Sequence, residues 1–473
     1  MTSAEGRPNV ILFVADDLGW ADLGCYGALG VSTPRIDALA ATGTRFWDCH
    51  AASSVCTPSR YGILTGRYPW RSPLKSGVLG GADPCIIAAG TRTLARMLAG
   101  VGYRTAAFGK WHLGLGWSRK DGTTVSAFGD QFEADMQGEG RDIDYEEPFT
   151  NGPLEHGFER FFGIAGSLDM PPYCFLDQDR TVGVPTLEKE PRVTSQRPGL
   201  MVPDWRDDQV DVRVAEEAVD WLRSDDGRPF FAYVASAAPH RPCVPPDFVA
   251  GTSRAGARGD SIHLVDWMVG RLVDALDEAT LRQTVFIFTS DNGAPLIFPE
   301  DGDVVNYPPN GSWRGQKGDA FEGGHRVPLI WSGPGVPGGA VHSVPVSLLD
   351  LMPTLAAIVG IQGGMGDVDG VEVRFTEATE SGTSPDRVFG VQAFDGRLAL
   401  RAGRYKAIYG SGSGGFSDPV GVPCGPGDSL GQLYDLDADP AETQNLWRTR
   451  AGTVRELHRR YSSVTGYDPS IWS

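Results

Sequence analysis

An α/β protein built on a large, mostly parallel sheet is what this sequence predicts, on three observations. Short apolar runs such as Val10-Ile11-Leu12-Phe13-Val14-Ala15 are β-branched and do not alternate with polar residues, the pattern of strands buried on both faces. They are interleaved with helical segments such as Asp208 to Ser224, where Val210, Val214, Ala218, Trp221 and Leu222 share one face. Several of the runs end in polar clusters, which is where open α/β sheets carry their ligands. At 473 residues the chain is long enough for one large α/β unit with an appendage.

Composition narrows the function classes. With 41% hydrophobic and 22% charged residues, the chain has the make-up of a soluble globular protein. Its longest apolar runs are strand-length and far short of a bilayer span, so no membrane partner is expected. The segment Met1 to Pro8 runs directly into the first strand without a charged leader and apolar h-region, which predicts a cytoplasmic location. A formal charge of −18 argues against nucleic acid and requires any anionic substrate to be met by locally concentrated positive charge. The seven cysteines (Cys25, Cys49, Cys56, Cys85, Cys174, Cys243 and Cys424) are dispersed and lack CxxC spacing, so reduced thiols are expected rather than a disulfide framework or a zinc site.

Along the chain, Asn9 to Ala15 is a buried strand ending in Asp16-Asp17. Such a pair fits turn chemistry, but adjacent carboxylates also repel unless a cation compensates, and hard oxygen donors suit Ca²⁺ or Mg²⁺. Pro34 to Thr42 reads as a helix with Thr33 as cap and Gly43 as stop. Pro58 suits a first helical turn, which places Cys56 just outside a helix N-terminus, with Arg60 one turn along to meet an oxyanion. Thr93 to Val101 is a short helix. Tyr103 to Phe108 is a strand leading into Gly109-Lys110-Trp111-His112-Leu113-Gly114, where Lys110 and His112 share a side. Residues 115 to 208 carry many turn formers and few periodic signals, the character of a variable, substrate-facing region; His156 within it reads as structural. Trp117, Trp205, Tyr307 and Trp313 are candidates to stack on a sugar or aryl ring.

Order returns with the helix Asp208 to Ser224 and the strand Pro229 to Ala235, which leads to Ala238-Pro239-His240-Arg241-Pro242. Flanking prolines hold His240 in a non-helical loop at a strand end. Ser261 to Leu276 is a helix, and Thr284 to Thr289 a strand followed by Ser290-Asp291-Asn292-Gly293. Arg314-Gly315-Gln316-Lys317-Gly318 precedes Glu322-Gly323-Gly324-His325-Arg326-Val327-Pro328, in which His325 has no assigned role. A strand at Leu329 to Trp331 and an apolar helix at Ser347 to Val359 follow. Beyond about residue 375, alternating segments at Arg387 to Gln392, Arg397 to Arg401 and Tyr405 to Tyr409 read as antiparallel strands, and Thr453 to Tyr461 as a final helix. The expected division is a catalytic domain, 1–375, and a small α+β domain, 376–473.

Taken together, the ordered blocks resemble the type I sulfatases. Cys56-Thr57-Pro58-Ser59-Arg60 before Thr65-Gly66-Arg67, the Gly109 to Gly114 hexapeptide, the His240 loop, Ser290 to Gly293 and the Lys317 segment each match that family's signatures. The resemblance implies an alkaline-phosphatase-like α/β/α sandwich with a small C-terminal antiparallel sheet and helix. It implies that Cys56 is oxidised by a formylglycine-generating enzyme to formylglycine, and that the substrate is a small-molecule or saccharide sulfate ester. Asp16, Asp17, Asp291 and Asn292, with the modified Cys56, would hold Ca²⁺, or Mg²⁺ in its place. One hydroxyl of the formylglycine hydrate would attack sulfur with help from Asp291. Lys317 and His240 would bind sulfate and protonate the leaving alcohol; the second hydroxyl, deprotonated by His112, would then expel sulfate. Arg60 and Lys110 would position the hydrate and neutralise charge.

The alternative within the same superfamily is a phosphonate monoester or phosphodiester hydrolase. A non-catalytic binding protein is disfavoured, because no catalytic position is missing. The chain has no His-Glu-x-x-His motif, no Gly-x-Ser-x-Gly elbow and no dinucleotide fingerprint after its first strand, and the Gly410 to Gly415 run lacks the Gly-Lys-Ser/Thr of a P-loop.

Overall fold

Ten strands form one mixed sheet: β1 (Asn9–Ala15), β2 (Thr44–Phe46), β3 (Arg104–Lys110), β4 (Arg160–Ile164), β5 (Leu176–Asp177), β6 (Arg180–Thr181), β7 (Phe230–Ala235), β8 (Thr284–Ser290), β9 (Leu329–Ser332) and β10 (Ala340–His342). The computed structural model describes residues 6–124, 135, 138–296, 307–361, 365–375, 387–421 and 429–468. Cys424 and the residues following the expected domain junction (376–386) lie outside the described residues. The strand order is β10-β2-β9-β8-β1-β7-β3-β4-β5-β6. Its centre, β8-β1-β7-β3-β4, is parallel throughout, whereas β9 runs antiparallel to its neighbours and β5-β6 forms an antiparallel edge.

Both faces of the sheet are covered. Because successive strand residues point to opposite faces, β1 sends Val10, Leu12 and Val14 into one hydrophobic core and Ile11, Phe13 and Ala15 into another. The first core holds Tyr61, Ile63 and Leu64 of α2 (Cys56–Thr65) and Leu351, Met352 and Leu355 of the helix Leu351–Ile358. The second holds Ile36 and Leu39 of α1 (Pro34–Thr42), Val214 and Ala218 of the helix Val210–Arg223, and Ile262, Val265 and Val269 of the helix Gly256–Asp274. This is the expected α/β/α layering. Among the described residues, no helix is long and apolar enough to cross a membrane.

Three local expectations change. Thr33 stands at the N-cap position of its helix as expected, but its hydroxyl makes no capping bond; it accepts from the Gly24 N–H at 2.8 Å and bonds Asp37 at 3.0 Å. Helix α2 begins at Cys56 itself, with Val55 as the flanking residue, so Cys56 lies inside the first turn. The helix expected from Ser261 starts at Gly256, because the Asp260 carboxylate folds back onto the N–H groups of Gly251 and Ser253.

The C-terminal sheet contains β11 (Val388–Gln392), β12 (Leu398–Ala402), β13 (Tyr405–Tyr409) and β14 (Gly431–Asp435), all antiparallel, with the helix Ala451–Thr465 packed on it. The fourth strand was not expected from the sequence. A buried ionic network fastens this sheet to the larger one. Lys406 Nζ on β13 lies 3.2 Å from Glu322, 2.9 Å from Glu442 and 3.0 Å from His325 Nε2, while Arg401 on β12 reaches Asp48 at 3.2 Å. His325 also meets His50, Nδ1 to Nδ1 at 3.0 Å, and His50 Nε2 bonds Asp48 at 2.6 Å. Burial pushes the Glu442 carboxyl up to about 7, with neighbouring Glu322 adding to the rise and Lys406 opposing it.

Removing a cation shared by two buried carboxylates is costly. Lys406→Met is expected to lose about 3–5 kcal/mol in denaturant unfolding. Glu442→Gln should be tolerated far better. Since the native state keeps the Glu442 proton up to about pH 7 while the unfolded state releases it near the ordinary carboxylate value, wild-type stability should decline across that interval; Glu442→Gln should flatten the decline.

Candidate active site

The carboxyl ends of three parallel strands, β1, β8 and β3, meet the first turn of α2. β1 delivers Asp16 and Asp17, and its neighbour β8 delivers Asp291 and Asn292 in register, with the Asp291 N–H on Ala15 O at 3.1 Å. β3 ends in Lys110, and Gly109 just before it takes a left-handed φ of 97°; a Cβ there would sit 1.9 Å from Ala235 O on β7. Only glycine lets β3 and β7 close at this point. Cys56 enters from α2, with its Sγ 3.5 Å from Asp16 and 3.9 Å from Asp17.

Three buried carboxylates are matched by three cations. Lys110 Nζ bonds Asp16 Oδ2 at 2.7 Å, and Lys317 Nζ bonds Asp17 Oδ2 at 2.7 Å. Arg60 grips Asp291 Oδ2 through Nε at 2.9 Å and Nη2 at 2.8 Å, and reaches Asp16 at 3.5 Å. Burial alone would raise the Asp16 carboxyl, but Lys110, then His240 and Arg60, outweigh it and hold the group well below the usual carboxylate range. Arg60 is fully buried against these carboxylates, with its Nη1 on Lys110 O at 3.3 Å. Asp291 is likewise engaged through both oxygens, by Arg60 and by the Asp17 N–H at 3.1 Å.

The histidines divide the remaining space. His240 Nδ1–H donates to Arg241 O at 2.6 Å, leaving Nε2 facing Asp17 Oδ2 at 3.5 Å. His112 Nε2–H donates to Leu79 O at 2.8 Å, so its Nδ1 carries the lone pair, buried and without a hydrogen-bond partner. Burial, reinforced by Lys110, holds this imidazole well below its ordinary pKa and therefore neutral. Burial also pushes the Cys56 thiol up, so it is not a thiolate.

Several supports carry little sequence signal. Asp22 pairs with Arg258 at 2.9 Å and accepts the Tyr307 hydroxyl at 2.7 Å, while Arg258 also donates to Asp17 O at 3.0 Å. This pair braces Asp17 in its left-handed φ of 62°. Asp211 accepts from the N–H groups of Ala237 and Ala238, both at 2.8 Å, and so fixes the loop carrying His240. The Lys317 loop is tied on both sides, by its own N–H to Ala294 O and by the Gly318 N–H to Ser54 O.

A cavity of about 480 Å³ opens onto Cys56, Asp17, His112, His240 and Lys317. Its aromatic wall is Phe394 and Phe416. The four aromatics expected to stack on substrate are elsewhere: Trp117 is buried with its indole N–H on Gly81 O, Tyr307 is committed to Asp22, Arg326 lies over Trp313, and Trp205 bonds Asp207. His156 is structural, as expected, stacked beside Trp111 and 3.3 Å from Cys85 Sγ.

A family profile described as Sulfatase matches residues 8–361. The chain belongs to the sulfatase family. This sulfatase is 33% identical to an N-acetylgalactosamine-6-O-sulfatase of Bacteroides thetaiotaomicron, over 97% of its own length and 93% of the relative's. It is 35% identical to human arylsulfatase A, over 95% of its length and 85% of that protein's. A solved Bacteroides thetaiotaomicron structure, reported with the metabolism of multiple glycosaminoglycans, superposes with a TM-score of 0.81 at 31% identity, covering 98% of this chain and 100% of that one. The sulfatase is thus an enzyme that hydrolyses sulfate esters.

Lysine cannot reproduce a guanidinium held by two nitrogens on one carboxylate. Arg60→Lys in this sulfatase is expected to keep its circular dichroism spectrum while kcat falls by about 10²-fold, since Asp291 and Asp16 lose their shared anchor.

Proposed function

We propose that the enzyme is a formylglycine-dependent, calcium-dependent sulfatase acting on carbohydrate sulfate esters, with Cys56 as the residue oxidised. The observation that carries this is the setting of Cys56. An un-ionised, 2% exposed thiol among carboxylates has no use as a sulfur nucleophile, whereas a hydroxyl-bearing group at the same atom position lies against metal-type donors and cations. The named relatives that act on an N-acetylgalactosamine sulfate and in glycosaminoglycan metabolism support the carbohydrate assignment.

The residues present fit a hard divalent cation. Donor atoms of Asp16, Asp17, Cys56 and His240 lie within 4.8 Å of one another, and the buried Asn292 Oδ1 has no donor to satisfy it. Calcium held by Asp16, Asp17, Asp291 and Asn292 would supply Lewis-acid polarisation of a sulfate oxygen. Oxidation of Cys56 by a formylglycine-generating enzyme would supply an aldehyde hydrate, with one hydroxyl to attack sulfur and another whose deprotonation frees sulfate.

The chain's own groups do the rest. Lys317 Nζ and His240 Nε2 converge on the same Asp17 oxygen at the cavity wall, where they can bind a sulfate oxygen and deliver a proton to the departing alcohol. The free Nδ1 of His112 is the base, kept neutral by burial. Arg60 and Lys110 hold the carboxylates in place.

Mass spectrometry of the Cys56 peptide from protein made in its native host should show the aldehyde in place of the thiol. Sulfate release from 4-nitrophenyl sulfate should vanish in Cys56→Ala, fall on chelation with EGTA and return with Ca²⁺. A thiol in every active molecule, or faster turnover of an aryl phosphate diester than of the sulfate, would sink the reading.

A further inference from the structure

The cavity has two unlike walls, and neither belongs to the sulfate-binding end. The apolar wall comes from the C-terminal sheet. Phe394 follows β11 and Phe416 lies beyond β13; their ring centroids are 5.0 Å apart at 54°, and Phe416 is 46% exposed. Both are fastened next to Lys317, through the Phe394 N–H on Gly318 O at 2.9 Å and the Phe416 N–H on Asp319 Oδ1 at 2.8 Å.

The polar wall is an ion pair. Arg197 Nη1 bonds Asp169 Oδ2 at 2.6 Å, and the Arg197 N–H donates to Asp169 O at 2.8 Å. Tyr173 and Gln196 stiffen the pair by bonding Arg197 O at 2.6 Å and Leu168 O at 2.9 Å. Asp169 is 7% exposed, yet its second oxygen, Oδ1, has no hydrogen-bond partner. His240 Nδ1 is 4.0 Å from this oxygen and already committed to Arg241 O. A buried carboxylate oxygen without a donor is uncommon, and this one faces the cavity.

We propose that these walls form the leaving-group subsite for a monosulfated pyranoside: a C–H face of the ring packs on Phe416 and Phe394, while a free hydroxyl beside the sulfate donates to Asp169 Oδ1. The proposal rests on the sulfate-ester reading given above. At Asp169 Oδ1 a hydroxyl fits better than a second anion, because the carboxylate repels a further sulfate or carboxylate and Arg197 is already paired with it. An aryl sulfate fills the apolar wall but offers Asp169 no donor, and a site built to bond a hydroxyl discriminates against the analogue lacking it.

The test uses the formylglycine-bearing enzyme, a panel of monosulfated pyranosides that includes N-acetylgalactosamine 6-sulfate, and 4-nitrophenyl sulfate. Wild type should turn over at least one pyranoside with the higher kcat/KM. Deoxygenating the hydroxyl that flanks the sulfate in that substrate should lower kcat/KM by about 10–100-fold, the loss of one hydrogen bond to a charged group. Asp169→Ala should lower the ratio of pyranoside to aryl kcat/KM by a similar factor, and Phe416→Ala should raise KM more than it lowers kcat. The deoxy arm needs no variant and stands even if Asp169→Ala misfolds. Wild-type rates on every deoxy analogue, an unchanged ratio in Asp169→Ala, or a preference for 4-nitrophenyl sulfate over the whole panel would overturn the subsite while leaving sulfatase chemistry intact. Absence of sulfate release from all substrates would instead overturn the function on which it rests.

Discussion

Three carboxylates buried side by side are the constraint around which this enzyme is built. Asp16, Asp17 and Asp291 are each essentially inaccessible to solvent, and their mutual repulsion is tolerable only because Lys110, Lys317 and Arg60 are held against them. The three cations come from β3, from the loop after β8 and from α2, so the charge balance exists only when these parts of the chain are folded together. The balanced set also leaves a divalent cation and an anionic ester as the charges that distinguish the working enzyme from its resting state.

A second buried ionic cluster does for the architecture what the first does for the chemistry. Lys406, Glu322, Glu442, His325 and Asp48 with Arg401 stitch the C-terminal sheet to the main one. That sheet carries Phe394 and Phe416, which close one side of the cavity. The opposite side comes from the irregular region around Asp169 and Arg197. In the proposed reading, sulfate is handled by the parallel core, and the organic group by two peripheral segments clamped onto it.

Much of this was legible in the sequence because strand ends concentrate chemistry. Each residue expected at the site, namely Asp16, Asp17, Cys56, Arg60, Lys110, His112, His240, Asp291, Asn292 and Lys317, lies in one connected cluster or lines its cavity. Periodicity also located the central strands closely, since unalternating apolar runs have few other uses. What failed depended on tertiary contacts that no local pattern encodes. Trp117 and Tyr307 sit in loops, as expected, but turn inward because their polar atoms find Gly81 O and Asp22 there. The contact of Arg60 Nε with Asp291, 231 residues away in the chain, has no local signal either. Asp169 and Arg197 lie in a stretch that the sequence marks only by its turn formers, and their pairing is set by an ion pair and a backbone bond between two loops without periodic signal.

The burial of Cys56 has a consequence for biosynthesis. A residue 2% exposed in the first turn of a helix, and packed against two aspartates, is out of reach of any second enzyme once the chain has folded. If its oxidation is what arms the protein, that step belongs to the interval in which the polypeptide is still extended. Specific activity is then fixed by a race at synthesis, and molecules that fold first are locked out until they unfold again.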